Sequence, residues 1–271
     1  MLIDVQRAAR NGGAATERGV ALVTGGRRGI GRAVCAELAA AGFDVAFLDL
    51  VEDEHVDRTR AIVEEAGRRT LFVPFDIGRV EAHAALADRI EGELGAITCL
   101  VNNAGIQVSV RGDMLEVSHE EFDRLLDINL RGTFFLTQEI ARRMVTAEPG
   151  GPERSIITIT SANAHLVSPE KAAYCISKAA LSMAMQTFAV RLAAFGVRVH
   201  EIRPGLVETD MTAEVRDHYS PAIQSGAICP VGRWGRPEEV AGAIATLATG
   251  AMPFSTGDIY NIGGGMQIPR L

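Results

Sequence analysis

From residue 20 onward, short apolar runs alternate with longer stretches of helical spacing. VALVTG is followed by RAVCAELAAAG, DVAFLDL by EHVDRTRAIVEEAG, and TLFVPFD by EAHAALADRIEGELG. TCLVNNAG then precedes the long SHEEFDRLLDINLRGTFFLTQEIARRMV, and SIITITS precedes KAAYCISKAALSMAMQTFAVRLAAFG. VRVHEIRPG, PEEVAGAIATLATG and DIYNIGG complete the series. Glycine closes several helical stretches, as a left-handed helix end requires. Runs that are apolar at nearly every position must bury both faces of a strand. The pattern therefore predicts an α/β fold, a doubly wound parallel sheet of about seven strands with helices on both faces. No internal repeat or low-complexity linker suggests a second domain, so residues 20–271 are expected to form one.

Two segments depart from the alternation. Residues 1–19, MLIDVQRAARNGGAATERG, lack the apolar core of a signal peptide and carry Asp4 and Glu17, which argue against a transit peptide. They are expected to be a disordered leader. Residues 207–236 are long and polar and carry Pro221 and Pro230. Connections of that length are usually functional, so this one is expected to be a substrate lid over the carboxyl ends of the strands.

Composition narrows the function classes. The net charge of −7 argues against nucleic acid as partner. No apolar run reaches the ~18 residues of a membrane helix. The four cysteines, at 35, 99, 175 and 229, stand singly with no metal spacing. They read as reduced, mostly buried thiols, which fits a reducing, cytoplasmic setting. No metal site is expected. His165 has no partner at ligand spacing.

After the first strand comes TGGRRGIG, residues 24–31. Its spacing, G-x-x-x-G-x-G, is not the usual G-x-G-x-x-G fingerprint, but the chemistry is the same. Gly25, Gly29 and Gly31 permit a tight turn and close approach of the backbone to pyrophosphate at a helix amino terminus. A dinucleotide is the expected cofactor, in a fold of Rossmann type. The second strand ends at Asp49, where a carboxylate can bind the ribose 2′-hydroxyl of NAD and repel the 2′-phosphate of NADP. At ~4 Å and an effective dielectric near 20, two unit charges interact by about 4 kcal/mol. Arg28 points the other way, since a loop arginine can pair with that phosphate. Asp49 sits where the ribose is expected, so NAD is preferred and NADP left open.

One of only two lysines, Lys178, stands four residues after one of only three tyrosines, Tyr174. On a helix the two share a face. A phenol near pKa 10 is a poor acid or base at neutral pH, and a neighbouring ammonium lowers that value. Tyr174 is then able to give a proton to a carbonyl gaining hydride, or take one from an alcohol losing it. Ser161, just past a strand, offers a hydroxyl to the developing oxyanion.

Taken in order, TGGRRGIG, NNAG (102–105), Asn129 in DINLRGTFF, Ser161, YCISK (174–178) and PGLVET (204–209) resemble the short-chain dehydrogenase/reductase family over residues 20 to about 267. The resemblance implies a catalytic tetrad. Ser161 would hold the substrate oxygen and Tyr174 transfer the proton. Lys178 would tune the tyrosine and hold the nicotinamide ribose, and Asn129 would support a water relay behind the lysine. It also implies cofactor contacts: Asp76 near adenine, Asn102 and Gly105 along the adenosine side, Ile30 under the pyrophosphate and nicotinamide, and Pro204, Gly205 and Thr209 at the nicotinamide amide. Where relatives often carry Asp-Gly-Gly, this chain has Gly263-Gly264-Gly265, which weakens any carry-over of C-terminal packing.

The C-terminal segments resemble 3-ketoacyl carrier-protein reductases and also sugar or polyol dehydrogenases. An NAD-dependent alcohol or sugar dehydrogenase is favoured by Asp49. The reductase alternative needs a basic surface for an acyl carrier protein, and Arg142 and Arg143 are the candidates. A non-catalytic dinucleotide-binding regulator is the lesser alternative. Pocket candidates are Gln107, Arg111, Asn163, His165, Met211 and Tyr219. The resemblance further implies a homotetramer with the Tyr174 helix and the helix before the last strand at its interfaces.

Overall fold

A computed structural model of the chain describes residues 18–147 and 151–270. Seven strands form one sheet: β1 (Val20–Thr24), β2 (Asp44–Asp49), β3 (Thr70–Pro74), β4 (Ile97–Asn102), β5 (Arg154–Ile159), β6 (Val197–Pro204) and β7 (Ile259–Ile262). Every pairing is parallel, in the order β3-β2-β1-β4-β5-β6-β7. The chain winds outward from β1 to β3, then returns to lay β4 against the other side of β1. At such a reversal the loops leaving neighbouring strands part, and a crevice opens beyond their carboxyl ends.

Among the described residues there are eight α-helices: α1 (Gly29–Ala40), α2 (Glu54–Glu65), α3 (His83–Leu94), α4 (His119–Leu126), α5 (Thr133–Thr146), α6 (Ala172–Leu192), α7 (Arg216–Gln224) and α8 (Pro237–Ala248). Strand side chains point alternately to opposite faces. In β1, Ala21 and Val23 therefore join one core with Val34 and Leu38 of α1 and Val240 and Ile244 of α8. Val20 and Leu22 join the other, with Leu86 and Ile90 of α3, Leu136 and Ile140 of α5, and Leu181 and Met185 of α6. Side-chain caps set two helix starts, as Asp53 accepts from the His55 amide and Ser118 from the Glu121 amide.

The expected leader falls outside the described residues up to position 17. Arg18 and Gly19 are already tied to the sheet, through Thr98 Oγ1 donating to Arg18 O at 2.6 Å and Asp44 N to Gly19 O at 3.2 Å. The 207–236 connection is not the irregular loop its polarity suggests. A 3₁₀ stretch, Asp210–Val215, runs into α7, which carries Pro221 internally. α4 and α5 are joined without a break by a π-helical turn, Asp127–Gly132. Single wide turns of this kind often occur at functional sites, and this one carries Asn129.

Candidate active site

The loop from β1 into α1 closes on itself. Gly25 has φ +66°, in the left-handed region that glycine enters without steric cost. A Cβ on Gly31 would fall inside van der Waals contact of the Gly25 carbonyl oxygen, so the first turn of α1 is pressed onto the loop. Asn103 Nδ2 pins the turn by donating to Thr24 O and Gly25 O, each at 2.9 Å. No side chain caps α1, and its first turn holds no acid. The amino end of a three-turn helix is thus left free to receive an anion, as a dinucleotide pyrophosphate requires.

Asp49 ends β2 beside this loop, and the arginine that reaches it is not Arg28. Arg27 Nε lies 3.4 Å from Asp49 Oδ1, and the same guanidinium pairs with Asp53. Arg28 turns the other way, to Asp210 of the 207–236 segment at 3.0 Å, with both side chains exposed. The reason is the turn itself: successive loop residues point to opposite sides of the glycine backbone. Asp76 receives the Gly78 amide at 2.8 Å and fixes the turn after β3.

A cleft opens at the carboxyl ends of β4, β5 and β6. Ile30, Gly105, Ser161, Tyr174, Lys178, Pro204, Gly205 and Thr209 all line it. The cleft holds about 880 Å³ of unfilled space, open solvent at its mouth included. Of the six pocket candidates, Gln107, Arg111, Asn163, Met211 and Tyr219 are part of its wall. His165 is not; it is exposed at the end of a short 3₁₀ turn.

Tyr174 and Lys178 lie on α6, 8% and 4% exposed. Lys178 Nζ donates to Ile159 O at 3.2 Å and stands 5.8 Å from the centre of the Tyr174 ring. Burial brings the Lys178 ammonium down to about 8, against an opposing pull from Glu201. Glu201 is buried and accepts from Thr160, Ser182 and Arg203. Burial also raises the Tyr174 phenol above its ordinary range, while a hydrogen bond with Ser161 and the charge of Arg111 act in the other direction.

Asn129 is fully buried in the π-helical turn. Its side chain closes both backbone groups of Ile106, with Oδ1 accepting from the amide at 2.8 Å and Nδ2 donating to the carbonyl at 2.9 Å. Nδ2 also meets Ser177 Oγ at 3.1 Å. A Cβ on Gly105 would lie 3.2 Å from Asn129 Oδ1 and 3.3 Å from Lys178 Nζ. Gly105 therefore stands at the lysine end of the cleft.

Asn102 is placed differently from expectation. As the last residue of β4 it points inward, donating to Thr137 Oγ1 at 2.9 Å and Thr158 Oγ1 at 3.0 Å. It ties β4 to α5 and β5, and Asn103 takes the loop position. Lys171 was not singled out by spacing, yet it too lines the cleft. Arg143 is engaged by Asp88, Glu91 and Glu139, and the more exposed Arg142 pairs with Glu139 at 3.8 Å and donates to Gln138 Oε1 at 3.0 Å. Among the described residues there is no cluster of three or more metal-ligating side chains, and no helix is long and apolar enough to cross a membrane.

Comparison with known proteins agrees with this geometry. A family model described as enoyl-(acyl carrier protein) reductase matches residues 25–267. The chain is 31% identical over 247 residues to 2-dehydro-3-deoxy-D-gluconate 5-dehydrogenase of Dickeya dadantii, covering 91% of this chain and 94% of that one. Among solved structures, 3-oxoacyl-[acyl-carrier protein] reductase from Brucella melitensis in complex with NAD is 42% identical, with a TM-score of 0.89, over 94% of this chain and all of that one. A putative 2-deoxy-D-gluconate 3-dehydrogenase from Agrobacterium tumefaciens with bound NADP is 30% identical, with a TM-score of 0.81, over 93% and 98%.

Proposed function

We propose, from the premise that this chain belongs to the short-chain dehydrogenase/reductase family, that it is an NAD-preferring oxidoreductase. It would interconvert a ketone and a secondary alcohol through Tyr174. The observation that carries the reading is the convergence of Ser161, Tyr174 and Lys178 on one cleft, next to an uncapped helix terminus behind a glycine cradle.

The residues present fit a nicotinamide dinucleotide. The amides opening α1 and the Gly25–Gly31 turn would hold the pyrophosphate, Asp49 the adenosine ribose, and Asp76 would approach adenine. Ile30, Pro204, Gly205 and Thr209 would flank the nicotinamide. When bound, the nicotinamide supplies or accepts the hydride. The chain does the rest. Ser161 and Tyr174 hold the substrate oxygen between two hydroxyls, and the Tyr174 phenol gives it a proton in reduction or takes one in oxidation. Protonated Lys178 would steady the phenolate left behind and would be the residue to hold the ribose. Asn129 keeps Ile106 and the backbone beside Lys178 in place, which is the position a proton-relaying water needs.

The preference for NAD rests on charge. Arg27, Asp49 and Asp53 together carry a net −1, so a 2′-phosphate would meet repulsion even with the arginine present. Substrate class is open between two kinds of relative, a sugar-acid dehydrogenase and a carrier-protein reductase. The two arginines expected to meet an acidic carrier, Arg142 and Arg143, are already paired with carboxylates of this chain, and this favours the former. A homotetramer is supported by an apolar stripe on α6, where Ile176, Met183 and Val190 recur every seven residues, all exposed. Oxidation of NADH and NADPH, followed with β-ketoacyl thioesters, keto sugar acids and simple ketones, tests the reading. It expects turnover with NADH on at least one ketone, and no turnover with any of them counts against it.

A further inference from the structure

In a chain with 34 acids and only two lysines, both lysines line the same cleft. Arg111 joins them, and no aspartate or glutamate belongs to the wall. Lys178 has a place in the mechanism; Lys171 has none. Its Nζ stands 5.7 Å from the Tyr174 ring centre, close to the distance of Lys178 on the same ring. The reacting phenol is thus flanked by two ammonium groups. Among the described residues no carboxylate lies within ion-pair distance of Lys171, and its ammonium makes no hydrogen bond there. Burial and the nearby Arg111 both disfavour its charge, with Glu170 and Cys175 opposing.

Arg111 is held from the solvent side. Glu170 contacts it at 3.0 Å and Glu214 at 3.7 Å, and those acids are 46% and 69% exposed. Its buried Nε has no hydrogen-bond acceptor. The rim acids orient the guanidinium without filling the cavity. Lys171 and Arg111 thus share the wall with the amide side chains of Gln107 and Asn163. Lys171 is half-buried, and an ammonium partly withdrawn from water without a counter-charge is stabilised by a carboxylate that a ligand supplies.

We infer that Lys171 and Arg111 form an anion subsite that takes a carboxylate of the substrate, so that the ketone reduced at Tyr174 is part of a keto acid. The inference rests on the oxidoreductase reading above and adds the substrate class to it. A carboxylate fits better than the phosphate of a carrier's pantetheine arm. That phosphate sits at the far end of a long uncharged chain, whereas Lys171 stands against the reacting ring itself.

The test uses the full-length enzyme with NADH and three ketone pairs: acetoacetate with methyl acetoacetate, levulinate with methyl levulinate, and 5-ketogluconate with fructose. Acetoacetyl-4′-phosphopantetheine is added as the carrier-type probe. NADH oxidation gives kcat and KM, and quenching of bound NADH fluorescence gives affinity. Wild type is expected to favour at least one acid over its neutral partner by about 10- to 100-fold, mainly in KM, as loss of a charged hydrogen bond implies. In Lys171→Met that ratio falls to about one, and in Lys171→Arg much of it returns. The inference is overturned if no acid is preferred or bound, if the preference survives in Lys171→Met, or if the phosphopantetheine thioester outperforms every acid. Failure of NADH itself to bind would instead bring down the oxidoreductase reading. Reduction of neutral ketones without acid preference removes only the subsite.

Discussion

Replacing Lys178 by methionine should stabilise the dinucleotide-free chain at neutral pH while removing its activity. The ammonium is 4% exposed, and burial brings its pKa from 10.5 to about 8. Each unit corresponds to about 1.4 kcal/mol. Holding the charge inside the fold at pH 7 therefore costs about 3 kcal/mol relative to a neutral side chain. Methionine fills a similar volume without charge. Loss of the hydrogen bond to Ile159 O returns about 1 kcal/mol of the gain. Glu201 keeps Thr160, Ser182 and Arg203, so no carboxylate is stranded. The net gain is about 2 kcal/mol, or about 4–8 °C in Tm for a chain of this size. Its pH dependence follows from the direction of the shift. The folded pKa lies below the unfolded one, so between about 8 and 10.5 the unfolded chain binds more protons and wild-type stability rises with pH. The advantage of the variant is thus full below about pH 8 and gone near pH 10.5. Thermal melts at fixed protein concentration and pH 7, 9 and 10.5, without dinucleotide, read this directly. A variant that melts at or below wild type at pH 7, or whose advantage persists at pH 10.5, refutes the reasoning.

Two other substitutions report on separate parts of the site. Asp49→Asn removes the charge that opposes a 2′-phosphate while leaving Arg27 its partner Asp53; the NADPH-to-NADH ratio of kcat/KM should rise by about tenfold or more, and an unchanged ratio in initial-rate assays contradicts the specificity argument. Asn129→Ala leaves the amide and carbonyl of Ile106 without their partners; urea denaturation should show a loss of about 2–3 kcal/mol, and a loss below about 1 kcal/mol would mean that the π-helical turn holds Ile106 by other means.

Much of this architecture was legible in the sequence, because fully apolar strands and glycine-closed helices leave few alternatives. The glycine turn and the Tyr174–Lys178 spacing were legible for the same reason: each is a local pattern whose chemistry depends on neighbours in the chain. What was misplaced depended on register or on tertiary contact. NNAG contains two asparagines on opposite faces of a strand end, and only the pairing of β4 with β5 decides that Asn102 turns inward and Asn103 pins the loop. TGGRRGIG contains two arginines, and the turn assigns Arg27, not Arg28, to Asp49. The 207–236 segment read as a loop because its proline and polar residues hide α7, of which only Ile223 is fully buried. Lys171 carried no motif at all. The only hint was the scarcity of lysine, and the cleft gave it meaning by bringing both lysines to one ring.

The central claim is that Tyr174 moves the proton while other groups hold the dinucleotide. Tyr174→Phe keeps the ring and its packing on α6 and removes only the hydroxyl. Titration of NADH fluorescence together with steady-state ketone reduction, on the same preparation, measures both halves of the claim. The account predicts NADH affinity within about threefold of wild type, a range worth under 1 kcal/mol, and turnover lowered by at least about a hundredfold. Near-normal turnover by the phenylalanine variant would contradict it.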